Sequence, residues 1–167
     1  MLLSEAAGSG RKARAWSAGL ALMLLAGCQA QPLYGSVQGE KQSISISHAN
    51  TRVEQTVRNE LVLGFGGEQV NAAYQLDLSV SSDFSGLLPG GIDNEFSAAR
   101  VTVTAAYVLK SASTGETVKA GSRFADAQLD LPSQQFAQIR ARSDAEDRAA
   151  REVAALVRAD VAAALAR

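Results

Sequence analysis

Alternating hydrophobic and polar residues predict four β-strands in this chain. Ile44 and Ile46, for example, are each flanked by serines. Because successive side chains of a strand point to opposite faces, a period of two gives each such segment one buried and one polar face. Turn-forming residues at 113–116 join the last two strands into a hairpin, and weak alternation around Gly121 predicts a bulge there. The segments with this pattern are residues 43–48, 74–81, 101–109 and 117–126.

A period of about four residues predicts two helices. The first begins at Asn50 or Thr51, because Thr51 and Glu54 have the spacing of a capping box, and it ends at Gly64. The second opens at Pro132 and continues close to the C-terminus without an internal glycine or proline. The expected apolar positions are Val53, Val57 and Leu61 in the first helix and Phe136, Ile139, Ala150, Val153, Val157, Val161 and Leu165 in the second.

The order of these elements, β-α-β-β-β-α, predicts an α+β fold. We expect a two-layer sandwich in which a mostly antiparallel four-stranded sheet carries both helices on one face. Its other face would present Ser, Thr, Gln and Asp to water or to a polar partner. Residues 85–94, SGLLPGGIDN, are dense in turn formers and are expected to form a loop. Ser143 and Glu146 repeat the capping-box spacing, which would allow a kink near residue 143.

Residues 1–27 have the composition of a lipoprotein signal peptide. Basic residues at 11–14 precede an apolar run at 18–27, which is short of the roughly 20 residues that a membrane span needs. The run ends in Leu25, Ala26, Gly27 and Cys28, a tetrad with the form of a bacterial lipobox. Signal peptidase would recognise Leu25–Gly27 and cut before Cys28, which would carry S-diacylglycerol and N-palmitoyl groups. A buried helix that happens to end in a cysteine is the competing interpretation.

Removal of this leader would leave a lipidated tether at residues 28–40 and a single α/β domain at residues 41–167. Several acyl chains on one cysteine would make the membrane anchor effectively permanent. In lipoprotein sorting, an Asp directly after the acylated cysteine favours retention in the inner membrane, and Gln29 stands there instead. We therefore expect a lipid-anchored domain on the periplasmic face of the outer membrane.

Composition excludes several functional classes. The chain of 167 residues has a formal net charge of -1, which argues against a nucleic-acid partner. Cys28 is its only cysteine and His48 its only histidine, so one chain can build neither a cysteine zinc site nor a histidine metal cluster. We expect no metal, no cofactor and no catalytic residue, and a structural or capping role for His48. The glycines at 64–67 follow a helix instead of opening one, which favours a helix C-cap over a phosphate-binding loop.

Four basic residues of the predicted hairpin are candidate contacts for an anionic lipid. Arg100, Lys110, Lys119 and Arg123 fall on adjacent strands around the turn at 113–116. Arginine and lysine bind phosphates through charge-assisted hydrogen bonds. Ordinary surface charge at the edge of a sheet is the alternative interpretation.

Two stretches of the chain resemble the LptE family of lipopolysaccharide-assembly lipoproteins. Residues 27–35, GCQAQPLYG, are similar to the GCGF-x-PLYG start of that family, although Ala30 stands where the family often has an aromatic residue. Residues 132–137, PSQQFA, followed by residues 143–150, SDAEDRAA, resemble its C-terminal stretch, where a Phe-Ala pair precedes a DAEERAA-like helix. The order of elements between these stretches fits the two-layer α/β domain of the family.

The resemblance implies a protein that is not an enzyme. It implies a plug inside the large outer-membrane β-barrel LptD, which assists assembly of that barrel and, with it, moves lipopolysaccharide to the cell surface. Lipopolysaccharide would then be the ligand of the four basic residues. One alternative is an auxiliary lipoprotein of a lipid-transporting ABC system. Another is a periplasmic hydrolase that uses His48 with a serine, although no nucleophile-elbow sequence supports it.

Overall fold

The computed structural model describes residues 43–90 and 95–166. The predicted signal peptide, the lipobox with Cys28 and the tether lie outside the described residues, as do residues 91–94 of the expected loop. The chain divides into two units, residues 1–40 and residues 41–167. The described elements are β1 (Ile44–Ile46), α1 (Arg52–Gly64), β2 (Tyr74–Gly90), β3 (Glu95–Ser111), β4 (Thr117–Asp130) and α2 (Gln135–Leu165).

The strands form one four-stranded sheet in the order β1-β2-β3-β4. The β1 strand is parallel to β2, whereas β2, β3 and β4 pair antiparallel in sequence order. A parallel pair needs a crossover connection, and α1 provides it between β1 and β2. The predicted element order and the α+β class, a mostly antiparallel sheet with two helices, are confirmed.

The strands β2 and β3 are longer than the sequence pattern predicted. We expected residues 85–94 to be a loop, but β2 continues to Gly90 and β3 starts at Glu95. The prediction was therefore wrong for residues 85–90, because ladder hydrogen bonds with β3 outweigh the low strand propensity of these turn formers. Two register shifts, on either side of Leu88, accommodate the irregular backbone in this stretch.

The prediction of a bulge at Gly121 was also wrong. Gly121 pairs in regular register with Tyr107, and the irregularity between β3 and β4 lies at Leu109 and Lys110 instead. The alternation of apolar and polar residues is weak around Gly121 because a glycine has no side chain and so is neither apolar nor polar in the pattern.

The capping box predicted the start of α1 correctly. The Thr51 hydroxyl accepts a hydrogen bond from the backbone N–H of Glu54 at 3.2 Å, and the Glu54 carboxylate accepts one from the backbone N–H of Asn50 at 2.6 Å. Two glycines follow the helix with left-handed backbone angles, Gly66 at φ 89° and Gly67 at φ 110°. These glycines terminate the helix, as expected, because a side chain would be strained there.

The α2 helix is continuous through residue 143. Ser143 therefore starts no new helix, and its hydroxyl accepts a hydrogen bond from Arg52 of α1. Phe136 and Ile139 were expected to lead the apolar stripe, but they are 72% and 60% exposed. That prediction was wrong because the buried positions of α2 begin only at Ala145, so the first turns do not pack into the core.

The core lies between one face of the sheet and the two helices. Tyr107 is its largest fully buried side chain, and both Val153 and Val157 of α2 are completely buried there. The helices are joined at their surface by Arg52, whose guanidinium bonds to Asp147 at 2.9 Å. The core therefore leaves the second face of the sheet without a described helix over it.

Candidate functional site

The face of the sheet opposite the helices is polar. Serines alternate along β2, and the matching positions of β3 and β4 carry hydroxyl, amide and carboxylate groups. Thr102 lies between Asp83 and Asp126 on the neighbouring strands, and its hydroxyl donates to Asp126 at 2.6 Å. Two large apolar side chains of β4 are exposed: Phe124, at 64%, lies on this face, and Val118, at 42%, lies next to the register shift at Leu109 and Lys110. The face is thus suited to contact with water or with a polar protein surface.

The four basic residues named as candidate lipid contacts do not form one cluster. Arg100 and Lys110 lie on the open face, near opposite ends of β3, about 33 Å apart along an extended strand. Lys119 and Arg123 pair with Leu109 and Ala105, which face the helices, so their side chains lie on the helix side of β4. Strand parity, which separates even from odd positions here, is a sequence signal that could have shown this division.

Each of the four has a different local environment. Lys110 forms an ion pair with Asp77, at 2.7 Å between Nζ and Oδ2. Arg100 is half-buried, and its Nε is buried without a hydrogen-bond partner among the described residues. Lys119 is exposed on β4. Whether any of them binds lipopolysaccharide stays a prediction.

Arg123 belongs to a polar network that sequence analysis missed. Its guanidinium makes two hydrogen bonds to Asp160 of α2, at 2.6 and 2.7 Å. The hydroxyl of Tyr107 donates to the same carboxylate at 2.6 Å. The network links β3, β4 and α2, and no spacing in the sequence shows that these three residues meet.

This network shifts the protonation equilibria of its members. Burial of Tyr107, together with its hydrogen bond to the Asp160 carboxylate, raises the pKa of the tyrosine to about 12. The hydrogen bonds from Arg123 hold the pKa of Asp160 below its usual value. Both pKa shifts are explained by burial and by these hydrogen bonds. The contacts among Tyr107, Asp160 and Arg123 hold α2 against the sheet.

A shallow cleft of about 460 Å³ lies between β4 and the first half of α2. Its polar lining residues are Gln128, Asp130, Asp144 and Arg148, and the others are Ala98, Leu129 and Ala141. Arg148 is held there by Asp144 at 2.9 Å and by the carbonyl oxygen of Gln128 at 3.0 Å. Arg148, the one basic residue that lines the cleft, is therefore already bound to other groups of the protein.

The part of the chain that the structure describes offers no catalytic arrangement that we can identify. His48 is exposed and follows β1 by two residues. Within residues 43–90 and 95–166, no group of acidic, cysteine or histidine side chains is placed to hold a metal ion. The helices found in those same ranges lack the length and apolar character of a membrane span.

Comparison with known families decides the classification. Residues 41–161 match the family model described as LptE, lipopolysaccharide-assembly. The chain belongs to the LptE family. LptE-family proteins are not enzymes, so the hydrolase alternative based on His48 is wrong. Membership also favours a role in lipopolysaccharide assembly over an auxiliary role in an ABC system.

Solved structures agree with this membership. A lipoprotein from Caulobacter crescentus is similar at 27% identity with a TM-score of 0.64, covering 79% of this chain and 96% of that one. The rare lipoprotein B of Shewanella oneidensis shares the fold at 16% identity and a TM-score of 0.58, covering 74% and 95%. A minor lipoprotein from Acinetobacter baumannii does so at 13% and 0.52, covering 74% and 94%. No curated protein matches the sequence.

Proposed function

We propose that this LptE-family chain is an outer-membrane lipoprotein that plugs the LptD β-barrel and helps to assemble it. Through that barrel it would take part in the transport of lipopolysaccharide to the cell surface. The match of residues 41–161 to the family model carries this proposal. The polar open face of the sheet supports it on physical grounds.

A barrel plug must fill a wet interior without needing an apolar contact. The interiors of large outer-membrane barrels are polar. The open face carries mainly hydroxyl, amide and charged side chains, and its apolar members include Ala106, Val108, Ala120 and the exposed Phe124. Burying such a face against a polar lumen replaces water contacts with hydrogen bonds at little net cost. The proposal thus assigns this face, and not the helices, to the barrel wall.

Lipopolysaccharide contact is a separate part of the proposal. Arg100 and Lys119 are the stronger candidates among the four basic residues, because Lys110 and Arg123 are paired with Asp77 and Asp160. Because the Nε of Arg100 is buried, this arginine would bind a phosphate through the terminal nitrogens of its guanidinium group. Since Arg100 and Lys119 lie on different faces, they would not contact one phosphate together.

Depletion of the protein in its own host tests the assembly role. We expect loss of correctly folded barrel, followed by loss of lipopolysaccharide from the cell surface, with both restored by the wild-type gene. The readouts are the heat-modifiable electrophoretic mobility of the barrel and surface labelling of lipopolysaccharide. Normal barrel folding together with normal surface lipopolysaccharide after full depletion would contradict the proposal.

A further inference from the structure

Phe124 is an aromatic side chain on the otherwise mainly polar open face of the sheet. It lies near the middle of β4 and is 64% exposed. Single apolar residues are common on protein surfaces, so the surroundings of the ring decide whether it has a role. Phe136 and Phe84 each have a guanidinium near the ring centre, Arg140 at 5.7 Å and Arg142 at 4.9 Å. Among the described residues, no cation lies over the ring of Phe124.

The neighbours of Phe124 on the open face have short side chains. Thr104 is its partner on β3, and Ala106 lies next to Thr104, opposite Ser122. On β2, the residue that pairs with Thr104 is Ser81. Because side chains of a strand stand roughly perpendicular to the sheet, the ring projects above a low surface. A partner can therefore approach the sheet closely here, provided that it has a recess for the ring.

The backbone that carries Phe124 is held from the other side of the sheet. Arg123 is bonded to Asp160 of α2 at 2.6 and 2.7 Å, and Ala125 is buried in the core. Both side chains point towards the helices, because successive residues of a strand alternate between the faces. A phenylalanine has few side-chain torsions, so fixing it at an interface costs little conformational entropy. Phe124 thus has the properties of an interface anchor, an exposed aromatic residue on a fixed backbone.

Two carboxylates near the ring lack a basic partner within the described residues. Asp83 of β2 and Asp126 of β4 both pair with Thr102 of β3, and both are exposed. In the described part of the chain neither forms an ion pair, with Arg100 of β3 or with any other basic residue. A protein surface that covers these carboxylates must supply basic side chains, because a buried charge needs a partner.

We propose that Phe124 anchors the open face on the barrel by inserting into an apolar recess of the inner barrel wall. Basic side chains of that wall, placed around the recess, pair with Asp83 and Asp126. This inference rests on the proposed function, because the β-barrel is the partner that it assumes. The inner walls of such barrels are polar, so the recess is a local feature that receives this one ring.

An anchor of this kind fixes the register of the plug against the barrel strands. The serine hydroxyls that alternate along β2 can form similar hydrogen bonds with many polar surfaces, so they select no single position. A ring that fits one recess does select a position, since a shift by two residues moves it about 7 Å along the strand. Phe124 therefore supplies specificity that the polar members of the face lack.

Competition between two forms of the full-length, lipidated protein tests the anchor. Wild type and variant, with different epitope tags, are produced together, and the barrel is isolated through a tag of its own. The ratio of the two forms in the complex, divided by their ratio in the whole membrane, measures relative binding. We expect Phe124→Ala to be depleted about tenfold or more. Phe136→Ala removes the same ring from an exposed position of α2 and should stay within about twofold of wild type.

The same competition tests the charges around the recess. Asp83→Lys would place a cation against the basic side chains of the wall, and we expect it to be depleted about tenfold or more. Glu152→Lys makes the same reversal at an exposed position of α2 and should compete almost as well as wild type. All four variants change exposed side chains, and unchanged circular dichroism verifies that each keeps the fold.

The possible results separate the anchor from the proposed function. If wild-type protein binds the barrel but Phe124→Ala and Phe136→Ala enter the complex equally, the anchor is overturned while the plug role stands. Equal entry of Asp83→Lys and Glu152→Lys would overturn the pairing of Asp83 with basic groups of the wall. A barrel isolated without the wild-type protein would contradict the proposed function itself, and the anchor with it.

Discussion

Tyr107 illustrates how single residues fix the position of α2 on the sheet. Its ring is 2% exposed, and its hydroxyl reaches the carboxylate of Asp160 that Arg123 also binds. Opposite the ring on β4 lies Gly121, where a Cβ atom would be 2.7 Å from the tyrosine oxygen. The glycine thus leaves the space through which the hydroxyl passes to the helix.

The raised pKa of Tyr107 predicts a loss of stability in alkali. Between pH 10 and pH 12 the unfolded chain releases the phenol proton, whereas the folded chain keeps it because its pKa is about 12. Unfolding is therefore favoured increasingly as the pH rises, by up to about 3 kcal/mol for a shift of this size. Urea unfolding at several pH values, compared with Tyr107→Phe, measures this contribution.

The phenylalanine variant is expected to be about 1 kcal/mol less stable near neutral pH, because one hydrogen bond is lost. It should also lack the Tyr107 part of the decline above pH 10. Parallel alkaline profiles of the two proteins would contradict the role given to the hydroxyl.

Gly121→Ala should destabilise the domain by about 1–3 kcal/mol. The new methyl group meets the hydroxyl of Tyr107, so the buried ring must move from Asp160 or the strand must shift. Ser122→Ala is the matched control, since it places the same residue type at the next, exposed position of β4. Its effect should remain within about 0.5 kcal/mol. Equal urea midpoints for the two variants would show that the contact does not constrain the ring.

At the scale of elements, α1 covers the β1 and β2 side of the sheet through a narrow stripe. Its buried positions are Glu54, Val57 and Leu61. Glu54 is only 4% exposed. Burial of its polar side chain is tolerated because it accepts a hydrogen bond from the backbone N–H of Asn50. The remaining positions of the helix are half-buried or exposed.

Two leucines of α1 provide a matched test of this packing. Leu61 is completely buried, whereas Leu63 is 74% exposed in the same last turns. We expect Leu61→Ala to reduce the free energy of unfolding by about 2–5 kcal/mol, and Leu63→Ala to change it by less than about 0.5 kcal/mol. Chemical denaturation of both variants gives the comparison. Similar losses would place the helix in a different rotation from the one described.

The elements that could be predicted from the sequence are those that depend on local backbone preferences. Alternation and capping residues report local backbone preferences, so the order of strands and helices and the start of α1 were correct. Phe136 shows the limit, because a period of four tells which residues share a face but not where the sheet beneath that face ends. For Leu88 and its neighbours, pairing with β3 outweighed local turn propensity, and that pairing is a long-range property.

The candidate site was predictable to a similar extent. The polar character of the open face could be inferred from the alternating serines and threonines. Arg100, Lys110, Lys119 and Arg123 were grouped because they are adjacent in a hairpin, but adjacency does not give a shared face, and strand parity would have separated them. The partner of Arg123, Asp160, is 37 residues away in sequence, a separation that no local pattern reports.

On the scale of the whole molecule, a proposed lipid anchor precedes a domain whose sheet has one polar face and one face covered by helices. Replacement of the acylated residue, Cys28→Ala, should prevent processing of the leader and leave the precursor in the inner-membrane or soluble fraction. The measurement is fractionation of the cell envelope, with palmitate labelling of the wild-type protein as its control. Wild-type recovery of the variant in the outer membrane would show that the tetrad at 25–28 is not a lipobox.

The most direct test of the central claim is the stoichiometry of the complex in the outer membrane. The tagged, lipidated protein is isolated from detergent-solubilised outer membrane, and its partners are identified and quantified by mass spectrometry. We expect a large β-barrel of the LptD type in near-equal amount. Recovery of inner-membrane ABC-transporter components instead, or of the protein without any barrel, would contradict it.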